Sequence, residues 1–188
     1  MALASAVSAP TASAQIADDP QNAVIFTVGL GYDSAADASP AQQGRVVIQL
    51  LPRFAPAHAE RIKELAREGF YNGSAFHRVI DGFLAQTGSP GGDGVGGSDK
   101  PNLSAEFSAV RFERGVVGMA RLADKDSANA QFFVMFEREA SFDGIFTVVG
   151  VVTEGMDVLD RITRTHDFRE RPLGAVPDRI ISARIAAE

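Results

Sequence analysis

Short runs of β-branched and apolar residues, separated by polar and glycine-rich segments, recur along most of the chain. Such runs are typical of β-strands. In residues 179–186, Ile181, Ala183 and Ile185 alternate with more polar positions, which predicts a half-buried strand. Eight strands are predicted, at residues 22–30, at 44–51, from 76 onward, and at 83–87, 116–120, 131–136, 147–152 and 179–186.

Two segments have helical periodicity instead. Residues 56–67 place Ile62 and Leu65 on one face and charged side chains on the other, which predicts an amphipathic helix. A second, shorter helix is predicted at residues 155–162. Because strands dominate and the helices are isolated, we expect a mainly β fold. Its predicted form is a closed eight-stranded antiparallel β-barrel capped by the two α-helices.

The first 21 residues differ in composition from the rest of the chain. They are rich in alanine and serine, and Ala12-Ser13-Ala14 matches the small-residue pattern of a signal-peptide cleavage site. We therefore interpret residues 1–21 as a signal-peptide remnant of a periplasmic protein. The alternative is a disordered extension on a cytoplasmic one. One folded domain is expected over residues 22–188, since a 45% hydrophobic chain of this length suits a single core.

Composition excludes several classes of function. The net charge is −6 and no basic run is present, which argues against nucleic acid as a partner. The absence of cysteine rules out disulfides and thiolate chemistry. No apolar stretch approaches the ~18 residues of a transmembrane helix, so no membrane association is expected. His58, His77 and His166 lack ligand-like spacing, and neither a metal nor a cofactor is predicted.

Two glycine- or aspartate-rich segments resemble known motifs only superficially. Residues 92–97 match G-x-G-x-x-G, but no strand is predicted directly before them and no helix directly after. They are interpreted as a loop in which backbone approaches backbone closely. Residues 124–129 begin like a calcium loop, yet Ala128 occupies a ligand position. A solvated polar loop is predicted there.

The most informative pattern lies in residues 76–88, where Arg78 stands in one apolar run and Gln86 follows in the next. Taken alone, Arg78 suits an outward-facing arginine on a strand. Residues 118–121 (GMAR) and 131–134 (QFFV) change this interpretation. Together these segments resemble the active-site strands of the cyclophilins, the peptidyl-prolyl cis-trans isomerases. Further matching blocks lie, in order, at residues 106–107, 142–144 and 155–159.

The resemblance implies an enzyme that accelerates rotation about X–Pro peptide bonds and assists protein folding, with proline-containing polypeptides as partners. Arg78 would be the catalytic residue, because a guanidinium can bind the prolyl carbonyl while favouring loss of amide resonance. A regular strand would turn Phe83 away from Leu84, so a groove lined by both requires a sheet edge or a bulge. The positions that match substrate-binding residues are Phe83, Leu84, Gln86, Gly94, Ala120, Arg121, Gln131, Phe133, Phe142 and Phe146.

Three positions depart from the best-known eukaryotic cyclophilins. Ser141 replaces a tryptophan that helps bind cyclosporin, Phe146 replaces a groove histidine, and Arg121 replaces an asparagine. We expect activity to be retained and cyclosporin to bind weakly. The chain resembles bacterial members of the family more closely, and we expect it to be a monomer. A module that binds proline-containing segments without turnover remains an alternative. A barrel that carries a small apolar ligand is a more distant one.

Overall fold

The computed structural model describes residues 19–188, so the predicted cleavage site lies outside the described residues. Within this range the secondary structure follows the predicted order. The strands are β1 (Ala23–Leu30), β2 (Gln42–Leu50), β3 (Arg78–Ile80), β4 (Leu84–Thr87), β5 (Val116–Met119), β6 (Phe132–Met135), β7 (Val148–Glu154) and β8 (Arg179–Ile185). The α-helices are α1 (Pro56–Arg67) and α2 (Met156–Asp160), and short 3-10 helices lie at Pro20–Asn22 and Ala140–Phe142.

The two α-helices pack against different parts of the sheet. Helix α1 begins with a proline, whose fixed φ suits the first turn, and it contacts β7 and β8. Helix α2 contacts β2 and is preceded by Gly155, which has a φ of 90°. A Cβ at Gly155 would lie 2.2 Å from the Arg45 carbonyl oxygen, so only glycine fits there. Neither helix has the length and apolar character needed to cross a membrane.

The eight strands form one antiparallel sheet in the order β3-β4-β6-β5-β7-β2-β1-β8. The prediction of a closed barrel is wrong, because this ladder leaves β3 and β8 as edges of a curled, open sheet. Strand β3 has only three residues. The chain between the turn at residues 71–73 and β3 lies beside β8. The residues that precede β3 contact β8 through an isolated bridge between Ala75 and Arg179 and a 2.7 Å hydrogen bond from Gly73 N to Ile180 O.

The inner face of the curled sheet surrounds a core of packed aromatic and aliphatic side chains. Phe26, Tyr71 and Phe132 form its aromatic centre, with ring centroids 5.5–6.0 Å apart. The Tyr71 hydroxyl donates a 3.0 Å hydrogen bond to the Ala130 carbonyl, which satisfies the one polar group of that ring. Because side chains from the strands and both helices fill this interior, the structure argues against a carrier of small apolar ligands.

A second set of buried side chains lies on the opposite face of the sheet. Strand β6 shows the division, because Phe132 and Val134 join the inner core while Phe133 and Met135 face the other way. Both faces of this strand are therefore buried, and its sequence is correspondingly apolar throughout. We call the second set the outer cluster, and its buried members are Leu84, Phe112, Val116, Phe133, Met135 and Val148.

Glu106 caps the first turn of α1. Its carboxylate accepts hydrogen bonds from the backbone N–H groups of Ala57 and His58, at 3.2 and 3.1 Å, and lies 2.6 Å from His58 Nδ1. Burial lowers the pKa of the His58 ring, although Glu106 opposes that shift. Burial alone would raise the pKa of Glu106, but the hydrogen bonds from His58 and Ala57 outweigh it and lower that pKa. A neutral imidazole that donates to a carboxylate fits both directions.

Candidate active site

A row of paired residues crosses four neighbouring strands. Arg78 of β3 pairs with Gln86 of β4, Gln86 pairs with Phe133 of β6, and Phe133 pairs with Gly118 of β5. Residues directly opposite each other on adjacent strands project from the same face of a sheet. The register therefore places the predicted catalytic arginine, a predicted holding glutamine and a pocket phenylalanine side by side, on the face of the outer cluster.

Phe83 joins this face without a sheet bulge. It lies in the turn at residues 81–83, before β4 begins at Leu84, so strand alternation does not apply to it. Gly82 adopts a φ of 64° in this turn, and Phe83 N donates a 3.2 Å hydrogen bond to Ile80 O. The predicted sheet edge or bulge is therefore absent here, because Phe83 lies in the turn outside the strand and β4 is paired with β3 and β6. Ala85, by contrast, faces the inner core.

Five phenylalanines pack against one another on this face, and we call this cluster the aromatic pocket. Phe142 lies at its centre, and its ring centroid is 4.7–5.8 Å from the centroids of the other four. Phe112 and Phe133 are buried and form the floor, whereas Phe83, Phe142 and Phe146 are half-buried and reach the surface. Leu84 is only 1% exposed and supports the pocket from beneath. The members are Phe83, Phe112, Phe133, Phe142 and Phe146.

A chain of polar contacts runs from Arg78 away from the pocket. Arg78 Nη1 donates to Gln86 Oε1 at 3.3 Å, and Gln86 Nε2 donates to Gln131 Oε1 at 3.0 Å. Gln131 Nε2 in turn donates to the carbonyls of Gly94 and Gly96, at 2.9 and 2.8 Å. Each of these polar side chains thus holds the next one in place. The series ends on the backbone of residues 92–97, which we call the glycine loop.

The glycine loop lies against His77 and not against a helix, as the rejection of the dinucleotide motif predicted. Gly94 has a φ of 84°, and a Cβ at this position would come within 3.0 Å of the His77 ring. Ser89 Oγ accepts a 3.0 Å hydrogen bond from Gly94 N and lies 3.3 Å from His77 Nδ1. Burial lowers the pKa of His77, which favours a neutral, structural ring.

Arg121 borders the opposite side of the aromatic pocket from Arg78. Its guanidinium carbon lies 4.7 Å from the centroid of the Phe146 ring, and its Nε and Nη2 donate to the Ile145 carbonyl at 3.3 and 3.2 Å. Ala120 precedes it at the end of β5, where Ala120 N donates to the Gln131 carbonyl at 2.9 Å. Two of the three positions that depart from the eukaryotic pattern, Arg121 and Phe146, therefore contact each other directly.

The acidic loop at residues 124–129 uses its carboxylates to hold the backbone. Asp124 Oδ1 accepts a 3.0 Å hydrogen bond from Asp126 N, and Asp126 Oδ1 accepts a 2.8 Å bond from Ala105 N. This arrangement agrees with the interpretation of a polar loop. Across residues 19–188, no three His, Asp or Glu side chains lie close enough together to hold a metal ion.

Comparison with known proteins identifies the arrangement. The sequence pattern described as cyclophilin type peptidyl-prolyl cis-trans isomerase/CLD matches residues 36–185. The chain belongs to this isomerase family. A probable peptidyl-prolyl cis-trans isomerase of Brucella suis is 45% identical over 185 residues, which cover 92% of this chain and 86% of the relative. Peptidyl-prolyl cis-trans isomerase B of Bacillus subtilis is 39% identical over 67% of this chain and 88% of its own.

Solved cyclophilin structures share the fold. The cyclophilin AquaCyp293 of Hirschia baltica superposes with a TM-score of 0.74 at 25% identity, covering 90% of this chain and 76% of that one. A cyclophilin-type isomerase of Cryptosporidium parvum, crystallised in the presence of the dipeptide Ala-Pro, has a TM-score of 0.69 at 22% identity. It covers 88% of this chain and 98% of its own.

Family membership and the names of the relatives establish peptidyl-prolyl cis-trans isomerase as the activity of this chain. The resemblance to bacterial members is confirmed as well, since the relatives at about 40% identity or more are bacterial enzymes. The binding module without turnover is therefore the weaker interpretation. In this cyclophilin the ten positions predicted to bind substrate lie in or beside the aromatic pocket and the series of polar contacts that begins at Arg78.

Three residues around the site were not among the predicted site residues. Phe112 stands alone in a polar segment and carries no sequence signal, yet its ring stacks on Phe133 at 5.8 Å. A Cβ at Gly118 would lie 2.4 Å from the Phe133 ring, a close approach that a glycine inside a strand pattern could have indicated. No sequence pattern singled out Glu170, yet its Oε1 lies 2.9 Å from Arg78 Nη2.

Proposed function

We propose that this cyclophilin rotates X–Pro bonds in the aromatic pocket beside Arg78, with Arg78 as the catalytic residue. Rotation must break the amide resonance that accounts for a barrier of ~18–20 kcal/mol. It requires neither proton transfer nor a nucleophile. The reaction needs an apolar site without water for the proline ring, hydrogen-bond donors that hold the flanking peptide, and a cation near the prolyl carbonyl. The observation that carries the proposal is the adjacency of Arg78, Gln86 and Phe133 across the sheet.

The aromatic pocket supplies the apolar site for the proline ring. Its buried floor, Phe112 and Phe133, is backed by Leu84 and excludes water, while the half-buried rims remain open to a ligand. A pyrrolidine ring is apolar and compact, and aromatic faces bind such rings well. Phe83, Phe142 and Phe146 would therefore contact the proline ring. Leu84 and Phe133 would form the buried end of the site that binds it.

Arg78 supplies the preorganised cation. Its side chain is 23% exposed, so part of the guanidinium is shielded from water. The guanidinium carbon Cζ lies 5.7 Å from the centroid of the Phe83 ring. Gln86 holds one terminal nitrogen, which leaves further N–H donors for a prolyl carbonyl. A guanidinium in this place stabilises the pyramidal nitrogen that forms when resonance is lost.

The peptide on either side of the proline would be held by the remaining positions. Gln86 and the backbone of Ala120 and Arg121 border the pocket, and Gln131 fixes the glycine loop through Gly94. Extended peptides are commonly bound by backbone groups of exposed strands in this manner. We infer that these groups hold one flank of the substrate while the other rotates.

An alanine at position 78 tests this proposal. Removing one preorganised donor typically costs 10²–10³-fold in rate, so Arg78→Ala should lower kcat/KM by about that factor in a protease-coupled proline isomerisation assay. Arg45→Ala is a matched control, because Arg45 also pairs with an exposed glutamate, Glu154, at 3.1 Å, but on strands β2 and β7. Wild-type activity in a folded Arg78→Ala variant would refute the catalytic role.

The substrates proposed are proline-containing segments of unfolded or flexible polypeptides, and the role is assistance to protein folding. The Ala-Pro dipeptide used with the Cryptosporidium structure supports this class of ligand for the fold. Uncatalysed X–Pro isomerisation takes tens to hundreds of seconds, slow enough to limit folding. All site residues come from one chain, so we propose that a monomer is sufficient. Size-exclusion chromatography with light scattering tests that point.

Two further proposals concern the drug site and the compartment. Ser141, on the 3-10 helix beside Phe142, is exposed and offers no indole ring, so we propose that cyclosporin binds weakly. The small residues Ala12-Ser13-Ala14 support export, with the mature protein beginning near Gln15 in the periplasm. A cytoplasmic location is the alternative.

A further inference from the structure

Arg78 has a charged partner that the family resemblance did not indicate. Arg78 Nη2 lies 2.9 Å from the Oε1 of Glu170, which is 92 residues away in the sequence. Within residues 19–188, Arg78 is the only basic side chain whose nitrogen lies within 4 Å of the Glu170 carboxylate. The same guanidinium therefore has one terminal nitrogen on Gln86 and the other on Glu170.

The segment that carries Glu170 is attached to β3, the strand of Arg78. The backbone N–H groups of Thr165 and His166 both donate to Val79 O at 3.1 Å. The Thr165 hydroxyl accepts from Val79 N at 2.8 Å and donates to His77 O at 3.1 Å. These bonds occupy the edge of β3 that no other strand covers. They hold the following residues beside Arg78, so the position of Glu170 follows from the fold and not from a chance surface contact.

The backbone at Glu170 is strained. Its φ is 61°, and it is the only residue other than glycine in the described chain with a positive φ. In this region an L-amino acid is disfavoured relative to glycine, because its Cβ lies too close to the following carbonyl oxygen. The turn is held by a 2.9 Å bond from Glu170 N to Asp167 O and by the Asp167 carboxylate, which accepts from Arg169 N and Arg171 N. A glutamate in a place that suits glycine points to a role for its side chain.

We propose that Glu170 is a positioning residue for catalysis, which holds the Arg78 guanidinium in the orientation that faces the aromatic pocket. This inference rests on the proposed catalytic role of Arg78. A guanidinium is rigid and planar, so two bonds on its terminal nitrogens and the Phe83 ring beside its carbon define its orientation. Without Glu170, only the 3.3 Å bond to Gln86 and the weak ring contact oppose rotation of the side chain.

The predicted effect is on kcat more than on KM. Arg78 acts where resonance is lost, in the transition state, whereas the aromatic pocket binds the proline ring in all states. An exposed ion pair is typically worth 0.2–1 kcal/mol, which converts to a change of about 1.4- to fivefold. Loss of the Glu170 carboxylate should therefore lower kcat by about 1.4- to fivefold while KM stays within error of the wild type.

The decisive variant is Glu170→Gly, because glycine removes the carboxylate and also suits the observed φ. Its melting temperature should equal or exceed that of the wild type, so a fall in kcat cannot be assigned to unfolding. Glu170→Gln keeps an oxygen that can accept from Nη2 and should retain more of kcat than the glycine variant. Glu154→Ala, which breaks the exposed Arg45–Glu154 pair, is the control and should leave kcat unchanged.

The same measurements separate this inference from the proposed function. If Arg78→Ala retains wild-type activity, the catalytic assignment of Arg78 fails, whatever Glu170 does. If Arg78→Ala is slow but Glu170→Gly equals or exceeds the wild type in kcat, Arg78 stands and the positioning role is refuted. In the Arg78→Ala background, Glu170→Gly should have no further effect. An additional loss there would show that Glu170 acts through the loop and would also refute the inference.

Discussion

Replacement of Gly118 by alanine should damage the floor of the aromatic pocket. The position lies on β5, directly opposite Phe133 of β6. A Cβ built there would lie 2.4 Å from Phe133 Cζ and 2.6 Å from Phe112 Cε1. The φ of Gly118 is not positive, so alanine introduces no backbone strain and the effect is purely steric. Neither ring can swing into solvent, because Phe112 is 0% exposed and Phe133 is 3% exposed.

The magnitude follows from the overlap. Overpacking a tight core by one methyl group typically costs about 1–3 kcal/mol of stability, since rings must leave their preferred rotamers. For a domain of this size, each 1 kcal/mol lowers the melting temperature by about 2–4 °C, which gives an expected fall of about 2–12 °C. The displaced Phe133 ring should also reduce kcat/KM, by about tenfold if the transition state is destabilised by about 1.4 kcal/mol.

Thermal unfolding by circular dichroism and isomerase assays at a temperature where both proteins are folded would test this. Gly91→Ala is the matched control, because that glycine also lacks a positive φ and its nearest neighbour is the exposed side chain of Asp93, 3.3 Å away. Adding Phe112→Leu should make the two losses less than additive, since Phe133 can then move toward Phe112. An unchanged melting temperature and unchanged kcat/KM in Gly118→Ala would refute the described packing.

Cyclosporin should bind tens of times more weakly than to a tryptophan-bearing relative, because the missing indole removes about 2 kcal/mol of contacts. Calorimetry should show partial recovery in Ser141→Trp, and tight binding by the unaltered protein would contradict this. Burial lowers the pKa of His58 in the fold, so below the unfolded value of about 6.5 the unfolded chain binds more protons and stability falls. The melting temperature should thus decrease from about pH 7.5 to about pH 5.5, and less steeply in His58→Asn; equal slopes would count against His58. N-terminal sequencing of protein from its own cells should begin near Gln15 in the periplasmic fraction, and intact Met1 in the cytoplasm would overturn export.

The local elements of this fold could be predicted because their information lies within a few neighbouring residues. The amphipathic pattern and the initial proline of residues 56–67 predicted α1 with the bounds that the structure has. The apolar run within residues 131–136 likewise predicted strand β6. The order of motifs indicated the isomerase family, because the segments that carry Arg78, Gln86 and Phe133 resemble the active-site strands of the cyclophilins. None of these conclusions depended on knowing which strands are neighbours.

Only the tertiary structure decided how these elements meet. The sheet remains open between β3 and β8, because the three residues of β3 and the turn before it cannot sustain a full ladder. Phe112 becomes part of the pocket only because β5 places Gly118 next to its ring, where a larger residue would leave no space for the ring. Glu170 reaches Arg78 across 92 residues through hydrogen bonds along the free edge of β3. Such contacts depend on register and on edges left unpaired, which are properties of the assembled sheet and not of any local stretch of sequence.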